Sequence, residues 1–178
     1  MGKRRFVLTL SYSSYLCGKI GDMMQKTIVL VKPDALQRGL VGEIISRFER
    51  KGLKLVGLKL VQMTDAMIEH WYEHHVGKSF FNDLKKFMEW TPIVAMIWEG
   101  VDAIPAVRKM VGSTKGIEAD AGTIRSDFAM SGSQNLIHAS DSIEAAEKEM
   151  GIIFNADEIF EYRNVTDCLI YGEEDLKK

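Results

Sequence analysis

Apolar runs and amphipathic stretches alternate along the chain in a pattern that predicts a domain of sheet and helices. The runs TIVLV and IVAMIW are almost continuously apolar, which is typical of strands covered on both faces. Strands are predicted at residues 27–31, 53–63, 93–98 and 134–138. Apolar residues at helical spacing predict helices at residues 40–51, 65–75, 80–90, 103–111 and 141–149.

Residues of suitable type mark the predicted helix ends. Gly52 follows two basic residues and is expected to stop the first helix. Asp102 is expected to cap the fourth helix, and Asp141 with Glu144 forms a capping pair for the last one. Gly151 is expected to end that last helix.

The order of the elements, β-α-β-(αα)-β-α-β, indicates an α+β domain with a ferredoxin-like, split βαβ topology. We expect a four-stranded antiparallel sheet with helices on one face. Residues 112–129 interrupt this order with a stretch rich in Gly, Ser, Thr and Asp that has no period. A loop of that length within a compact domain is usually functional or mobile.

Length and composition limit the classes of protein to which the chain can belong. Its 178 residues suit one domain with a substantial core. Hydrophobic residues make up 46% and charged residues 27%, which argues against disorder, and no apolar run is long enough to span a membrane. The net charge of −2 argues against a strongly basic nucleic-acid-binding protein. We therefore expect neither a membrane nor a nucleic acid as a partner.

The first 23 residues differ from the rest in charge. They carry four basic residues and one acidic residue, a net charge of +3, which leaves −5 on residues 24–178. The short apolar stretch FVLTL lacks a small-residue cleavage pattern. We predict that residues 1–23 are an extension outside the fold or the result of an upstream start codon; a weak targeting segment is the alternative. The two cysteines, Cys17 and Cys168, favour a reducing, cytoplasmic location over a disulfide framework.

Four residues indicate chemistry on an anionic substrate. Lys32 follows the first buried strand, at a strand end where α/β sheets often bind ligands. Arg108 lies on a predicted helix, whereas Thr114 and Arg125 lie in the irregular segment. Cations, hydroxyl groups and free N–H groups together are what a polyphosphate requires. For any one of these residues alone, a solvated surface position is the simpler interpretation.

His138 ends an apolar strand and is followed directly by a helix start, where anions bind favourably. A neutral imidazole there could attack phosphorus if a carboxylate held its other nitrogen, and Glu149 on the next helix could do so. A core histidine bonded to the backbone explains this residue alone at least as well. In a regular strand Asn135 faces away from His138, so both can share a site only if the strand ends or twists between them.

A metal site is a competing interpretation. His70 and His74 form the pattern H-x-x-E-H, which inverted zinc peptidases use. A catalytic zinc site needs a further ligand, and the nearest acidic candidate outside the helix, Glu89, has no context that marks it as one. A solvated or ligand-lining position for these histidines is the better interpretation.

An aromatic and apolar cluster is predicted across two helices, formed by Tyr72, Phe80, Phe81 and Leu84. Core packing explains it, and so does a cleft wall on which a flat base stacks.

Four motifs follow one another in a fixed order along most of the chain. They are KPDALQRGLVGEIISRFERKG from Lys32, VAMIWEG from Val94, GTIRSDF from Gly122 and NLIHASDS from Asn135. The last is similar to N-x-x-H-G-S-D, the active-site signature of nucleoside diphosphate kinases. From these motifs, residues 24–172 resemble that family.

The resemblance implies a ferredoxin-like fold with surrounding helices and a ping-pong reaction. A nucleoside triphosphate such as ATP or GTP would phosphorylate His138, and a nucleoside diphosphate would then take the phosphoryl group. The family uses Mg²⁺ on the nucleotide phosphates, and broad base specificity is expected because none of the assigned contacts reads a base edge. A homo-oligomer is also implied, a hexamer rather than a tetramer. From the sequence itself, we expect residues 158–172, with the aromatic residues Phe160 and Tyr162, to lie in a subunit contact.

Residue roles are carried over by position. In the family pattern His138 is the nucleophile, its δ nitrogen carries the phosphoryl group, and Tyr72 lies beside it. Glu149 matches the carboxylate that orients the histidine, and Ser140 matches the serine that bonds this carboxylate. Lys32 and Asn135 match the contacts to the sugar 3′-hydroxyl, and Lys32 also meets the transferred group. The remaining matches are contacts to phosphate or base: His75, Phe80, Leu84, Arg108, Thr114 and Arg125.

Some positions depart from the family's commonest residues. Ala139 replaces a glycine, and we predict an ordinary β or right-handed conformation there because a positive φ would strain alanine. Lys78 replaces an arginine, so a bidentate phosphate contact becomes a point charge. Gly132 replaces a larger apolar residue, so packing against the base is expected to be looser.

Overall fold

A computed structural model describes residues 23–172, and its centre is a four-stranded sheet. The strands are β1 (Met24–Val31), β2 (Lys54–Val61), β3 (Ile93–Val101) and β4 (Ile137–Ala139). They lie in the order β2-β3-β1-β4, and each neighbouring pair is antiparallel. This topology confirms the predicted ferredoxin-like α+β fold. The predicted leader, apart from Met23, lies outside the described residues, as does Cys17.

The helices of the described residues connect and cover these strands. In chain order they are α1 (Pro33–Gln37), α2 (Val41–Lys51), α3 (Asp65–Trp71), α4 (Phe81–Glu89), α5 (Ala103–Val111), α6 (Ile124–Phe128), α7 (Ile143–Ile153) and α8 (Asp167–Ile170). Only α5 has the predicted bounds. Helices α1, α6 and α8 were not predicted, and α6 lies within the expected loop 112–129. No helix between residues 23 and 172 is long and apolar enough to cross a membrane.

Helices cover both faces of the sheet, so the expectation that they pack on one face was wrong. On one face, Val29 and Val31 of β1 belong to a core that includes residues of α2 and α5. On the other face, Ile28 and Leu30 belong to a core with residues of α3, α4 and α7. Alternate residues of β1 point to opposite faces and both sets are apolar, so each face needs a cover.

The helix ends correct two of the predicted caps. Gly52 ends α2 with φ of 95°, which confirms the predicted stop. Asp102 precedes α5 with φ of 50°, but its side chain makes no capping hydrogen bond. Ser142, and not Asp141, caps α7, because the Ser142 hydroxyl accepts a hydrogen bond from the Ala145 N–H at 3.0 Å.

The last helix is longer than expected because it continues through Gly151. The prediction that Gly151 ends it was wrong, and α7 runs on to Ile153. Ile153 is buried and Ile152 packs against the same core, so two apolar residues stabilise the extra turn. This longer helix carries Glu149 and packs against β1.

Candidate active site

A cavity of about 370 Å³ opens beside the end of β1 and β4, with walls from α3, α5 and α7. It brings together most of the residues predicted for the site: Lys32, Tyr72, His75, Arg108, Thr114, Arg125, Asn135, His138 and Glu149. These residues come from separate stretches of the sequence. The fold therefore produces one cationic, partly aromatic cavity from the predicted candidates.

Ser140, Phe80 and Leu84 do not line this cavity. Ser140 is buried behind it against Glu149. The Phe80 ring is 48% exposed and meets the His75 ring edge to face, with centroids 5.2 Å apart, so it extends the cavity wall outward. Leu84 packs against the core that includes residues of α3, α4 and α7, so in this structure its contacts are packing contacts.

His138 and Glu149 form the best-defined pair in the cavity. The Nε2 atom of His138 lies 3.0 Å from each of the two carboxylate oxygens of Glu149. The Ser140 hydroxyl donates to Oε2 of the same carboxylate at 2.6 Å. A carboxylate can only accept, so the geometry places the proton on Nε2 and the lone pair on Nδ1. No residue in the described part of the chain forms a hydrogen bond with Nδ1.

A left-handed residue allows Asn135 and His138 to share the cavity. Leu136 has φ of 70°, and β4 begins only after it. A left-handed conformation costs a residue other than glycine about 1–2 kcal/mol. It breaks the strand alternation that would otherwise turn the two side chains to opposite sides. Ala139 is not among the described residues with positive φ, which confirms the prediction made for it.

Lys32 is buried at the end of β1 and meets Asn135. Its Nζ atom donates to Oδ1 of Asn135 at 2.6 Å. Burial lowers the pKa of Lys32 to about 8, and the charge of Arg125 adds to this fall, whereas the charge of Asp34 opposes it. Lys32 is therefore a cation at neutral pH that loses its proton in mildly alkaline solution.

Asn135 also ties the segment after α5 to the site. Its Nδ2 atom donates to the carbonyl oxygens of Thr114 and Gly132, at 3.0 and 2.9 Å. Thr114 itself is exposed and lines the cavity. The amide of Asn135 thus uses both its donor and its acceptor to hold neighbouring chain segments.

Arg125 and Arg108 contribute positive charge in different ways. Arg125 is buried, and its guanidinium donates to the backbone carbonyls of Gly112, Asn135 and Ile137 at 2.9, 3.3 and 2.6 Å. Burial, together with the charge of Arg108, lowers the pKa of Arg125 to about 10, so it stays charged at neutral pH. Arg108 is exposed and makes a long hydrogen bond of 3.4 Å to the Ala139 carbonyl. Arg108 therefore keeps donors for an anion, whereas Arg125 holds the backbone.

Aromatic side chains at the end of α3 form the wall beside His138. The Trp71 ring meets the His138 ring edge to face, with centroids 5.2 Å apart. The Tyr72 hydroxyl is buried and has no hydrogen-bond partner within residues 23–172. Burial, together with the charge of Glu149, raises the pKa of Tyr72, so its hydroxyl remains a donor.

His75 and Lys78 lie between the cavity and Phe80. The Nδ1 atom of His75 lies 3.1 Å from Nζ of Lys78. Burial, followed by the charges of His74 and Lys78, lowers the pKa of His75, so the ring is neutral at pH 7 and can accept from the ammonium group. Lys78 thus contacts a residue of the cavity wall without lining the cavity itself.

The H-x-x-E-H pattern assembles no metal centre in the part of the chain that the structure describes. No group of three or more His, Cys, Asp or Glu side chains there could hold a metal ion. The glutamate of the pattern, Glu73, forms an ion pair with Lys148 at 2.6 Å instead. The zinc alternative finds no support in these residues.

Sequence reasoning missed several residues of the site. Trp71, Asp141 and Lys148 line the cavity, and Asp34 accepts a hydrogen bond from Leu136 behind it. His74 also lines the cavity, in agreement with the ligand-lining interpretation of this histidine. The available signals were the place of Trp71 in HWYEH, beside Tyr72, and that of Asp34 in KPD, directly after β1. Nothing in the sequence pattern gave their distance from His138.

Comparison with known protein families and sequences gives concordant results. A family model described as nucleoside diphosphate kinase matches residues 25–159. A nucleoside diphosphate kinase of Methanobrevibacter smithii is 49% identical over 149 residues, which are 84% of this chain and 99% of that protein. The corresponding enzyme of Staphylothermus marinus is 54% identical over 138 residues, which are 78% of this chain and 98% of that protein.

Solved structures give the same result. A halophilic nucleoside diphosphate kinase from Halobacterium salinarum, in complex with CDP, matches with a TM-score of 0.81 at 39% identity. A nucleoside diphosphate kinase family protein from Babesia bovis matches with a TM-score of 0.80 at 41% identity. Each match covers 83% of this chain and 99% of the solved one.

Proposed function

The chain belongs to the nucleoside diphosphate kinase family and is an enzyme that transfers phosphate between nucleotides, and we propose that it works in two steps through a phosphohistidine on His138. A nucleoside triphosphate such as ATP or GTP gives its terminal phosphoryl group to Nδ1, and a nucleoside diphosphate then takes it. The double contact between Nε2 of His138 and the Glu149 carboxylate supports this proposal most directly, because it leaves Nδ1 with a free lone pair.

Bond changes in the first step follow from this geometry. The lone pair of Nδ1 forms a bond to the γ-phosphorus, and the bond from that phosphorus to the β–γ bridging oxygen breaks. The electron pair of the broken bond leaves with the nucleoside diphosphate. The ring becomes more positive, and Glu149, held by Ser140, offsets that charge through the Nε2 proton. In the second step an oxygen of the acceptor's terminal phosphate attacks, and the P–N bond breaks.

Cations of the cavity would lower the barrier by neutralising phosphate charge and fixing the geometry. Lys32 is buried beside Asn135, where the resemblance assigns contacts to the sugar 3′-hydroxyl and the moving phosphoryl group. Arg108 and Thr114 are exposed on the cavity wall and suit outer phosphates. The unpartnered Tyr72 hydroxyl is a further donor beside His138.

Magnesium fits the site as an ion carried on the nucleotide. The charged lining of the cavity is mainly cationic, and Glu149 is engaged by His138 and Ser140. Asp141 is the other carboxylate on the cavity wall. Mg²⁺ prefers oxygen ligands and would take them from the phosphates and water, with Asp141 in reach of that shell. Bound there, the ion supplies charge neutralisation of the phosphate oxygens.

Broad base specificity is part of the proposal. Phe80 offers an exposed ring at the outer end of the cavity, and stacking on an aromatic ring tolerates every base. Comparable kcat/KM values for ADP, GDP, CDP and dTDP, within about tenfold, are expected, since stacking alone separates bases weakly. A preference of about a hundredfold for one base would contradict this part, because it requires a contact to a base edge.

Labelling by γ-labelled ATP without an acceptor tests the proposal. The wild-type protein should gain an acid-labile, base-stable label that added GDP removes as GTP. The variant His138→Ala should gain none, whereas His70→Ala, which alters a histidine outside this cavity, should label like the wild type. Equal labelling of His138→Ala and wild type would show that another residue is the nucleophile.

Self-association is proposed as well, as a hexamer rather than a tetramer. Residues on the edge strand β2 support association, because Leu58 and Leu60 are 51% and 66% exposed. Phe160 and Tyr162, expected at a subunit contact, are also exposed. Light scattering on the purified protein measures the mass directly, and a monomer would contradict the proposal.

Residues 1–23 are proposed to be an extension outside the catalytic domain. The family match begins at residue 25, and 84% of this chain suffices to cover 99% of the Methanobrevibacter smithii enzyme. A cytoplasmic location stays a prediction from the sequence.

A further inference from the structure

We propose that Asp34 is a positioning residue, whose carboxylate holds Leu136 in the left-handed conformation that brings Asn135 and His138 into one cavity. This inference rests on the proposed role of His138 as nucleophile.

A buried hydrogen bond joins Asp34 to the start of β4. Asp34 lies on α1 and is 8% exposed, and its Oδ2 atom accepts from the Leu136 N–H at 3.0 Å. The two residues are 102 positions apart in the sequence. Because a buried N–H is costly to leave without an acceptor, this contact can hold a disfavoured backbone conformation.

The Ile137 N–H donates to the Asn135 carbonyl oxygen at 2.8 Å and closes a tight turn at Leu136, and three further contacts hold this residue. Its N–H donates to Asp34, its carbonyl oxygen accepts from the Lys32 N–H at 2.8 Å, and its side chain is fully buried in the core. The bond to Lys32 is made by the backbone and the core contact belongs to Leu136 itself. Asp34 is therefore the partner whose side chain can be changed while Leu136 and the strand stay the same.

The conformation of Leu136 decides what its neighbours can do. Asn135, one residue before it, accepts from Lys32 in the cavity, and His138, two residues after it, meets Glu149 there. If Leu136 relaxes to an extended conformation, regular alternation turns Asn135 away from the side of His138. Loss of the acceptor oxygen of Asp34 should therefore misplace reacting groups that Asp34 does not touch.

The charge of Asp34 is separable from this hydrogen bond. An asparagine at the same position could still accept from the Leu136 N–H through its amide oxygen. It could not oppose the effects of burial and of Arg125 on the buried ammonium group of Lys32. Alanine removes both the bond and the charge, so the two variants distinguish backbone positioning from electrostatics.

The test compares the rate of phosphoenzyme formation in the full-length wild type, Asp34→Ala and Asp34→Asn by rapid quench with labelled ATP. Mildly acidic buffer keeps Lys32 protonated in all three. Asp34→Ala should react about tenfold to a hundredfold more slowly, as misplaced reacting groups do, with little change in the Kd of ATP. Asp34→Asn should react at nearly the wild-type rate.

Asp167→Ala is the matched control, because Asp167 is also 8% exposed in a short helix but, unlike Asp34, does not accept the hydrogen bond from the Leu136 N–H. It should leave the rate of phosphorylation unchanged. A wild-type rate in Asp34→Ala, or an equally slow Asp34→Asn, would overturn the positioning role. Failure of the wild type to label would instead count against the proposed function of His138.

Hydrogen exchange keeps the inference testable if Asp34→Ala does not fold. In the wild type and in Asp34→Asn, the Leu136 amide should exchange as slowly as the amides of β1. Fast exchange of this amide in the folded wild-type protein would overturn the inference.

Discussion

The carboxylate of Glu149 meets Nε2 of His138 with both of its oxygens, each at 3.0 Å. In the proposed mechanism this contact selects the reactive nitrogen, because it holds the proton on Nε2 and leaves the lone pair on Nδ1. The Ser140 hydroxyl prevents the carboxylate from turning, since it donates to one of the same oxygens. An oriented imidazole is thus built into the fold beside a cationic cavity.

Replacement of Glu149 by glutamine should slow phosphoenzyme formation by roughly a hundredfold or more. This is the range seen when a positioned catalytic acid or base is lost. The neutral amide stabilises the positive ring poorly, and its NH₂ group can pair with Nε2 in the wrong tautomer. Rapid-quench measurement with ATP gives the rate. Glu147→Gln on the same helix, where the side chain is exposed, is the control and should keep the wild-type rate. A fast Glu149→Gln enzyme would mean that the contact does not orient the ring.

The rate should also depend on pH through Lys32. Burial lowers the pKa of Lys32 to about 8. The ammonium form therefore predominates below this pH and is lost as the pH rises through it. If the charged form is required, the rate falls as the pH rises through about 8. A pH profile of phosphoenzyme formation shows this, and Lys32→Arg should remove the alkaline fall because arginine stays charged. A wild-type rate that stays constant to pH values far above 8 would contradict the requirement for this charge.

Alanine at position 151 should stabilise the protein. Gly151 lies inside α7, and a Cβ atom there meets nothing within 4 Å. The free energy of unfolding in urea should rise by about 0.5–1 kcal/mol, the helix-interior difference between glycine and alanine. Gly116→Ala is the opposing control, because its Cβ would overlap the carbonyl oxygens of Ala129 and Arg125. A lower urea midpoint for Gly151→Ala would mean that α7 does not pack as described.

Removal of residues 1–23 should leave the phosphoenzyme rate and the thermal midpoint unchanged, because the sheet begins at Met24. Removal of residues 1–31 is the control, since it also deletes β1, the strand that pairs with both β3 and β4. Loss of activity on removing residues 1–23 alone would show that the enzyme needs this segment.

The elements that could be predicted are those whose pattern depends on local sequence alone. The apolar runs placed β1 and β3, and the periodicity and flanking residues placed α5. Gly151 misled the prediction because packing of Ile152 and Ile153 outweighs the glycine's low helix propensity. The two-sided arrangement of helices was not predicted, although the apolar residues on both faces of β1 require a cover on each face.

Two features of the candidate site could not be predicted from the sequence: the contacts of Arg125 and the backbone conformation of Leu136. The motifs identified the residues around His138. They did not indicate that the Arg125 guanidinium donates its hydrogen bonds to backbone carbonyl oxygens. The left-handed conformation falls on Leu136, a residue type that does not signal it, and it is held by Asp34 from a distant part of the chain. Such a feature depends on tertiary contacts and has no local signature.

The position of the phosphoryl group on His138 tests the central claim most directly. Nuclear magnetic resonance of the ¹⁵N-histidine-labelled phosphoenzyme, prepared with ATP and unfolded in base where phosphohistidine survives, distinguishes the two ring nitrogens. The contact between Glu149 and Nε2 predicts that the phosphorus is bonded to Nδ1 of His138. A phosphoryl group on Nε2, or on any residue other than His138, would contradict the account.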